Sequence, residues 1–335
     1  METNIFPTLS RSSGTCSYCK TTSANLTDPK DLRIYFELLV SAYEDDPDGQ
    51  RTIVEWLTDD WLLFDCKDLD LPAAQILLAD ILDDGDIVRK PFRPANISQF
   101  KGFANWETLK DELRYKNRYF LDEELKHDRL RELLDHLISD PLPTDWFRAR
   151  IMPSDKAFGV ADMGAPPKGL ASHGRANPSG IPYLYLASTP QTAIAEVRPH
   201  TGEKASVASY NLPDNISIVD LRDPKKLVSP FLLEEMEAVA QLRADVPFLA
   251  KLGDELTRPV LPRSAAIDYV PSQFLCEFIK KQGFAGVLYS SSVSDGVNLA
   301  LFNVDLAEPK EVAVYVIDKV SVQVSEDEKD LAKLS

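Results

Sequence analysis

The sequence of 335 residues has few of the features that mark secreted, membrane or disulfide-rich proteins. It contains four cysteines, too few for a disulfide framework in a chain of this length. No apolar run approaches the ~20 residues that a membrane-spanning helix needs. The first residues, METNIFPTLSRSSG, lack the apolar core of a signal peptide. We therefore expect a cytoplasmic protein that does not act at a membrane.

Positive charge is also scarce, with 37 Lys and Arg against 53 Asp and Glu and a formal net charge of −16. An acidic surface repels phosphate backbones, so broad nucleic-acid binding is not expected. A local cationic pocket for a small anion remains compatible with this balance. Hydrophobic residues make up 44% of the chain, which is enough for a sizeable core, and the length suits two domains.

The first half of the chain is patterned as helix from Asp31 to about His136. Apolar residues recur at helical spacing in DLRIYFELLVSAY, at Leu32, Tyr35, Phe36, Leu39 and Tyr43. Residues 106–137 form one long amphipathic stretch or two abutting ones. The proline-punctuated segment 139–145 then breaks the pattern. The sequence therefore predicts a helical N-terminal domain over residues 1–140.

The second half alternates short strand-like runs with helices. The strand-like runs are WFRARI, IPYLYLA, ASVASYNL, NISIVDL, GVLYS, LALFNV and VAVYVIDKVSVQV. Helices are expected near 231–255 and 270–282, and the last residues, SEDEKDLAKLS, read as a solvated tail. The overall prediction is an α+β protein in which a mixed α/β domain over 145–325 follows the helical one.

A carboxylate stands out in the strand–helix segment 173–200. Ser188 or Thr189 can cap the helix and Pro190 suits its first turn. Glu196 follows Ala193 by three residues, so its side chain is expected to lean toward the buried side, where an unused carboxylate is costly. The alternative is a structural Glu that bonds to nearby backbone or pairs with Arg198.

Arg175 precedes this helix in a loop bounded by Gly174 and Gly180. Such a loop lets a ligand approach the backbone closely, and a guanidinium can grip a diphosphate with two hydrogen bonds. The alternative is a solvated loop arginine.

Taken together, these residues resemble the RES domain family over about 145–305. The resemblance rests on GRANPSGIPYLY, TAIAE, the early WFRAR, DYVPSQFLCEFI and the closing GFAGVLYSSSVSDGVNLALF. The early segment supplies Arg148 and Arg150. In the closing segment, Ser291 is the best match for the family serine, with Ser290 and Ser292 as rivals.

The resemblance implies a fold similar to ADP-ribosyltransferases and an NAD-consuming, toxin-like activity. The implied catalytic residues are Arg175, Tyr185, Glu196 and Ser291. The implied substrate-binding residues are Arg148, Arg150, Asn177, Tyr269, Gln273 and Asn298. NAD would be the substrate, with no cofactor and no metal, and an antitoxin or regulatory partner and homo-oligomers fit the same picture. No GxGxxG follows a strand, so a hydride-transfer site lacks its usual signature.

Four further hypotheses concern other residues or other activities. The N-terminal half resembles a HEPN-like domain, through CSYC, Trp106 and Arg118-Tyr119-Phe120. Arg131 and His136 have the spacing of a HEPN ribonuclease, although chance alone accounts for such a match. Cys16 and Cys19 form half of a zinc site that Cys66 could join, or they are unpaired thiols. A nucleotide-binding module without turnover is the alternative to an enzyme.

Overall fold

A computed structural model describes most of the chain. The described residues are 5–22, 24–95, 106–122, 127–139, 142–322 and 324. The chain separates into two compact units, one of Met1–Ile138 with Val219–Leu275 and one of Ser139–Ile218 with Cys276–Ser335. The segment 219–275 therefore belongs to the same unit as the N-terminal helices. Separable folding units at 1–140 and 145–325 remain a prediction, which limited proteolysis would test.

The described elements confirm the α+β class. The helices are α1 Arg33–Val40, α2 Ile53–Trp61, α3 Leu71–Leu82, α4 Trp106–Tyr115, α5 His127–Asp135, α6 Pro190–Glu196, α7 Pro224–Leu227, α8 Met236–Thr257, α9 Ala265–Asp268 and α10 Val270–Lys281. The strands are β1 Ser12–Gly14, β2 Ala24–Leu26, β3 Tyr43–Asp45, β4 Phe92–Pro94, β5 Asp145–Ile151, β6 Leu184–Ala187, β7 Lys204–Asn211, β8 Ile218–Asp220, β9 Gly286–Ser290, β10 Val297–Leu301 and β11 Pro309–Val316. Short 3₁₀ turns occur at Phe6–Thr8, Pro29–Leu32, Val160–Met163, Pro230–Leu232 and Val304–Leu306.

Helix starts in the first unit follow local capping chemistry. The Asp70 carboxylate accepts the Ala73 N–H at 2.9 Å and begins α3. Thr52 and Glu55 form a reciprocal capping box at the start of α2. The stretch 106–137 contains two separate helices, α4 and α5, which settles the alternative that its pattern left open. No described helix combines the length and the apolarity that crossing a bilayer requires.

The second unit is built on a seven-stranded sheet. Its strand order is β11-β7-β5-β6-β10-β9-β8, and the boundary between the two units passes through β8. Strands β5 and β7 pair along their whole length, but β5 and β6 share a single ladder pair, Phe147↔Ala187. The ladder between β5 and the central strand β6 is therefore much shorter than the ladder between β5 and β7.

The two faces of this sheet bury different clusters. One face carries Trp146, Leu184, Leu186 and Tyr210 in the larger core. The other face carries Ala149, Ala187 and Val207, against which Ala193 of α6 packs. Side chains of a strand alternate between faces, so this division fixes which predicted site residues share a face.

Several boundaries differ from the sequence expectation. The run VAVYVIDKVSVQV forms a strand only to Val316, and LALFNV contributes β10 from Val297, followed by a 3₁₀ turn. The helical pattern of the N-terminal half is interrupted by the antiparallel pair β3 and β4. The predicted solvated tail, residues 325–335, lies outside the described residues.

Candidate functional site

The centre of the candidate site is the carboxylate of Glu196, the last residue of α6. Helix α6 begins as expected, because the Thr189 hydroxyl accepts the Thr192 N–H at 3.1 Å and Pro190 occupies the first turn. At its other end, Glu196 Oε1 accepts hydrogen bonds from Ser291 Oγ at 2.7 Å and from Asn298 Nδ2 at 2.6 Å. Two neutral donors therefore hold one oxygen of the carboxylate.

The expected burial of Glu196 is wrong. The residue is exposed, whereas Ala193 is buried. The helical spacing argument fails because α6 stops at Glu196, so no further turn shields its side chain. Among the described ion pairs, Glu196 is not paired with Arg198, which was one form of the structural alternative. Its side-chain partners come instead from the segment around β9 and β10, about 100 residues later.

Ser291 is the serine that the geometry brings to Glu196. Strand β9 ends at Ser290, and the next residue closes the turn with a hydrogen bond from its N–H to Gly296 O at 2.9 Å. The Ser291 oxygen also accepts the Val293 N–H at 3.2 Å. The hydroxyl proton thus points to Glu196 while the oxygen organises the turn. This contact favours Ser291 over its two neighbours.

The turn from Ser291 to Gly296 is seated on α6 by hydroxyl contacts that the sequence did not reveal. Ser294 Oγ lies 3.1 Å from Thr192 Oγ1, which in turn lies 2.9 Å from Thr189 Oγ1. A Cβ placed on Gly296 would overlap the Thr192 hydroxyl and lie 2.9 Å from its Cβ. The absence of a side chain at Gly296 therefore permits this close approach.

Asn298 is the second donor and lies inside the sheet. It is buried on β10, opposite Ala187 on one side and Tyr289 on the other. A buried amide needs hydrogen-bond partners, and Glu196 supplies one. Asn298 and Ser291 both contact Glu196, so the structure joins three of the predicted residues.

Tyr185 and Asn177 organise the loop that carries Arg175. The Tyr185 hydroxyl accepts the N–H groups of Ala176 at 3.0 Å and Asn177 at 3.2 Å, and it donates to Asn177 Oδ1 at 2.7 Å. The Asn177 amide donates to the carbonyl of Ser172, Pro178 and Ile181 within 3.0 Å. The loop on both sides of Arg175 is therefore fixed by one phenol and one amide.

Gly174 makes this arrangement possible. A Cβ at this position would lie 2.6 Å from the Tyr185 hydroxyl and would also overlap Asn177 Oδ1. The sequence pointed to Gly174 as a place where a ligand could approach the backbone. In the structure, the side chains that approach it closely belong to the protein itself.

Tyr289 is a site residue that sequence reasoning missed. It is buried on β9 beside Asn298. Burial holds the pKa of its phenol well above the usual value, the negative charge of Glu196 raises it further, and Arg175 acts in the opposite direction. Tyr289 thus lies within electrostatic range of both Glu196 and Arg175. The alternation in GVLYS separates Tyr289 from Leu288, but the pairing of Tyr289 with Asn298 depends on the register of the sheet.

Arg148 and Arg150 lie on the other face of β5. They alternate with Ala149, which belongs to the Glu196 face, and share their own face with Trp146. Arg148 Nη1 donates to the Tyr185 carbonyl at 3.2 Å, and its buried Nε has no partner among the described residues. Arg150 donates to the Gly164 carbonyl at 3.2 Å. Their role as substrate ligands remains a prediction.

Tyr269 and Gln273 fall in the first unit, at the start of α10, and both are half-buried. The structure describes them there as part of the α9–α10 turn, where the Gln273 N–H donates to the Tyr269 carbonyl at 2.9 Å. Their predicted contacts with substrate likewise remain a prediction.

The residues behind the ribonuclease and zinc hypotheses have defined neighbours in the structure. Arg131 pairs with Asp135 at 3.2 Å, and burial followed by the charge of Arg129 lowers the pKa of His136. Cys19 Sγ lies 3.2 Å from Thr21 Oγ1, and this contact contributes most to a lowered thiol pKa. In the part of the chain that the structure describes, no group of three His, Cys, Asp or Glu residues could hold a metal ion.

Comparison with known proteins identifies the domain. Residues 146–324 match the RES domain model, so the chain belongs to the RES domain family. No curated protein matches. One solved structure with similarity is titled as the M. tuberculosis MbcT–MbcA toxin–antitoxin complex. It has 15% identity and a TM-score of 0.32, and the match covers 56% of this chain and 92% of that one.

Proposed function

We propose that this protein cleaves the nicotinamide–ribose bond of NAD and transfers ADP-ribose to water, phosphate or a protein group. Membership of the RES domain family supports the proposal, because known members resemble ADP-ribosyltransferases and consume NAD. The observation that carries it is the carboxylate of Glu196, which is exposed and held through one oxygen by Ser291 and Asn298.

Neutral donors suit a carboxylate that must stabilise a cation. When the bond between ribose C1′ and the pyridinium nitrogen breaks, the bonding electron pair leaves with nicotinamide. Positive charge then develops on the ribose as an oxocarbenium-like centre. Because Ser291 and Asn298 carry no charge, Glu196 retains its negative charge for this centre. Two unit charges 4 Å apart interact by about 4 kcal/mol at an effective dielectric constant of ~20.

The acceptor completes the reaction. An oxygen of water, phosphate or a protein group forms the new bond to C1′, and a hydroxyl acceptor loses its proton to solvent or to a nearby base. The free oxygen of Glu196 is the candidate base, since the hydrogen bonds from Ser291 and Asn298 both go to Oε1.

Arg175 is proposed to hold the diphosphate. Hydrogen bonds of Tyr185 and Asn177 hold the loop around it, so the backbone that carries the guanidinium has a defined position. With its proton engaged by Asn177, the Tyr185 hydroxyl positions this loop in the ligand-free arrangement. Packing of the Tyr185 ring on nicotinamide or ribose remains part of the proposal.

The proposal also covers the cellular setting. NAD is a substrate and not a cofactor, and an antitoxin or regulatory protein would restrain the activity. A HEPN-like role for the N-terminal half remains a separate hypothesis. The described contact of Arg131 is an ion pair with Asp135, which does not itself favour the ribonuclease alternative.

The test measures NAD loss, nicotinamide release and NAD affinity on purified full-length protein. Glu196→Gln keeps an oxygen for Ser291 and Asn298, so we expect an unchanged melting temperature and NAD affinity, with turnover reduced about 10²–10³-fold. Glu308→Gln, at an exposed position of the same unit, is the matched control and should keep full activity.

Arg175→Ala separates affinity from rate. A diphosphate contact exists in the ground state as well, so this variant should bind NAD more weakly in addition to turning over more slowly. An unchanged rate in well-folded Glu196→Gln would contradict the mechanism. A wild-type protein that binds NAD but never consumes it would support the binding-module alternative.

A further inference from the structure

Cys16 and Cys19 share one tight turn between the first two strands. The segment CSYC lies in the loop that joins β1 to β2. The Cys16 carbonyl accepts the Lys20 N–H at 3.1 Å, so residues 16–20 form a single α-turn, and the Cys16 N–H donates to the Thr21 carbonyl at 2.9 Å. Residues three positions apart in such a turn lie on the same side of the chain. The backbone therefore brings the two cysteines together.

The side chains of these two cysteines also contact each other. Cys19 Sγ lies 3.2 Å from Thr21 Oγ1. Hydrogen bonds with the Thr21 side chain, then with its backbone, and then with the Cys16 side chain lower the pKa of the Cys19 thiol. The contact between the Cys16 and Cys19 thiols provides the proximity that a disulfide needs. The lowered pKa raises the fraction of nucleophilic thiolate at Cys19.

The turn is held in this shape by groups other than the two thiols. The Tyr18 hydroxyl, between the cysteines in sequence, donates to Asp80 Oδ2 on α3 at 2.6 Å. Lys20 Nζ donates to the Ser17 carbonyl at 2.5 Å, and Lys20 has a left-handed φ of 60°. Because these bonds involve neither sulfur, they hold the reduced thiols close together before any reaction.

Access distinguishes this pair from the other two cysteines. Cys16 and Cys19 are both partly exposed, so a small molecule can reach them. Cys276 is buried, and burial raises the pKa of its thiol. Cys66 is exposed, but no neighbouring position in the sequence carries a second cysteine. Cys66 thus offers a single accessible thiol, whereas the turn offers two that are in contact.

We propose that Cys16 and Cys19 form a redox-active dithiol that small-molecule disulfides, such as oxidised glutathione, convert to an intramolecular disulfide. A compact oxidant suits a pair that is only partly exposed. The site belongs to the first unit and Glu196 to the second, so the proposal does not depend on the proposed NAD chemistry.

The reaction proceeds by two exchanges. The Cys19 thiolate attacks one sulfur of the small disulfide, a new S–S bond forms, and the electron pair of the broken bond leaves with one small thiolate. Cys16 then gives its proton to solvent and attacks the Cys19 sulfur, which releases the second small thiolate. The dithiol loses two electrons, and the small disulfide is reduced to two thiols. The second attack is intramolecular, so the mixed disulfide at Cys19 should not accumulate.

The test exposes reduced full-length protein to oxidised glutathione and follows its intact mass and its peptide map. We expect a chain that has lost two hydrogen atoms, with Cys16 linked to Cys19 and no glutathione retained on either. Cys66 is the comparison within the same chain, because a single thiol should stop at the mixed disulfide. Cys16→Ala should trap glutathione on Cys19 at the parental rate, whereas Cys19→Ala should react more slowly.

Thr21→Val tests the activation of Cys19 without removing a thiol. It deletes the hydroxyl that contacts Cys19 Sγ but keeps the branched shape and the backbone. The rate of disulfide formation at neutral pH should fall about threefold, because a tenfold loss of thiolate is partly offset by the greater nucleophilicity of a more basic thiol. The rate–pH profile should move to higher pH. Thr22→Val, at the exposed neighbouring position, is the matched control and should leave the rate and the profile unchanged.

Three outcomes would overturn the proposal. The first is glutathione that stays on Cys19 of the parent, and the second is a reaction of the pair that is no faster than that of Cys66. The third comes from adding zinc alone before the oxidant. One zinc ion retained per chain, with oxidation of Cys16 and Cys19 blocked, would assign the pair to a metal site instead of a redox site.

Discussion

Two buried carboxylates of the first unit and the Glu196 carboxylate of the second unit are stabilised in different ways. In the first unit, Asp245 is 0% exposed and accepts from Arg129 Nε at 3.0 Å and Nη2 at 2.7 Å, with Gln241 at 2.9 Å. Glu255 is 4% exposed and lies 2.8 Å from Lys110 and 3.0 Å from Arg258. Each of these buried carboxylates has at least one cationic partner. In the second unit, Glu196 has only the neutral donors Ser291 and Asn298 among its described side-chain partners.

This difference in hydrogen-bond partners distinguishes a carboxylate that is paired with a cation inside the fold from one that could interact with a bound cation. A buried carboxylate needs a counterion, because desolvation costs several kcal/mol per ion. A carboxylate bound by a hydroxyl and an amide keeps its net charge. Position reinforces the contrast, since Glu196 sits at a helix C-terminus, where the helix dipole disfavours negative charge. Among the described side-chain contacts, Glu196 thus has neutral partners, whereas Asp245 and Glu255 each have a cationic one.

The largest expected effect comes from removing the cationic partner of a buried carboxylate in the first unit. Arg129→Met leaves Asp245 buried without its cation, so the free energy of unfolding should fall by about 3–5 kcal/mol. Denaturant unfolding of the full-length protein measures the loss. Arg131→Met on the same helix is the control, because its pair with Asp135 is exposed and contributes at most about 1 kcal/mol. Equal losses in the two variants would show that the Asp245 pair is not special.

The next effect concerns the hydrogen bond from the neutral donor Ser291 to Glu196. We expect it to change NAD turnover and not the free energy of unfolding. Ser291→Ala removes a hydrogen bond to a charged group, a contact worth about 1.5–3 kcal/mol, so NAD turnover should fall about 10–100-fold. We expect Ser291→Thr to restore most of the rate, since it keeps the hydroxyl. Ser292→Ala is the control for the neighbouring serine. A loss of stability that matches the loss of rate would make Ser291 structural.

A smaller effect is expected where the turn from Ser291 to Gly296 packs against α6. Gly296→Ala forces a methyl group against Thr192, and overpacking by one methyl costs about 1–2 kcal/mol. Turnover should fall along with stability, because the turn that carries Ser291 must shift. Thr192→Ala in the same protein should recover part of both losses by removing the overlapping hydroxyl. Additive losses in the double variant would contradict this contact.

Local signals were sufficient for the elements of the site. The cap at Thr189, Pro190 in the first turn and the run GVLYS predicted α6 and β9, and the structure confirms both. These signals act within a few residues of the chain. Arg175 and Glu196 were singled out from their positions in the loop and the helix, and the family resemblance then favoured a functional role for them. The match of residues 146–324 shows that family.

Contacts between distant segments could not be read from the sequence. Asn298 and Glu196 are 102 residues apart, and the Thr192–Ser294 contact spans the same separation. No periodicity encodes such pairs. The exposure of Glu196 was missed for the related reason that helical spacing does not say where the helix ends. The three-residue strands β3 and β4 were missed because they are too short to show alternation.

The smallest expected effect is on the pH dependence of stability, through His136 in the first unit. Burial lowers the pKa of His136, so the folded chain binds a proton there less readily than the unfolded chain does. The unfolded state therefore gains protons first as the pH falls below about 6.5, and stability decreases on the acid side while remaining level above it. His136→Gln should lose part of this decrease, measured as the difference in melting temperature between pH 7.5 and pH 5.5.

His200→Gln provides the comparison, because His200 is exposed and lies in the second unit. If both variants show the same difference between the two pH values, burial of His136 does not contribute to acid sensitivity. Neither substitution should change NAD turnover at pH 7.5, since neither residue contacts Glu196 in the described structure. RNA cleavage that disappears selectively in His136→Gln and in Arg131→Ala would instead favour the ribonuclease reading of the N-terminal half. That result would place chemistry at the end of α5, where Arg131 forms an ion pair with Asp135 and the half-buried His136 follows the helix.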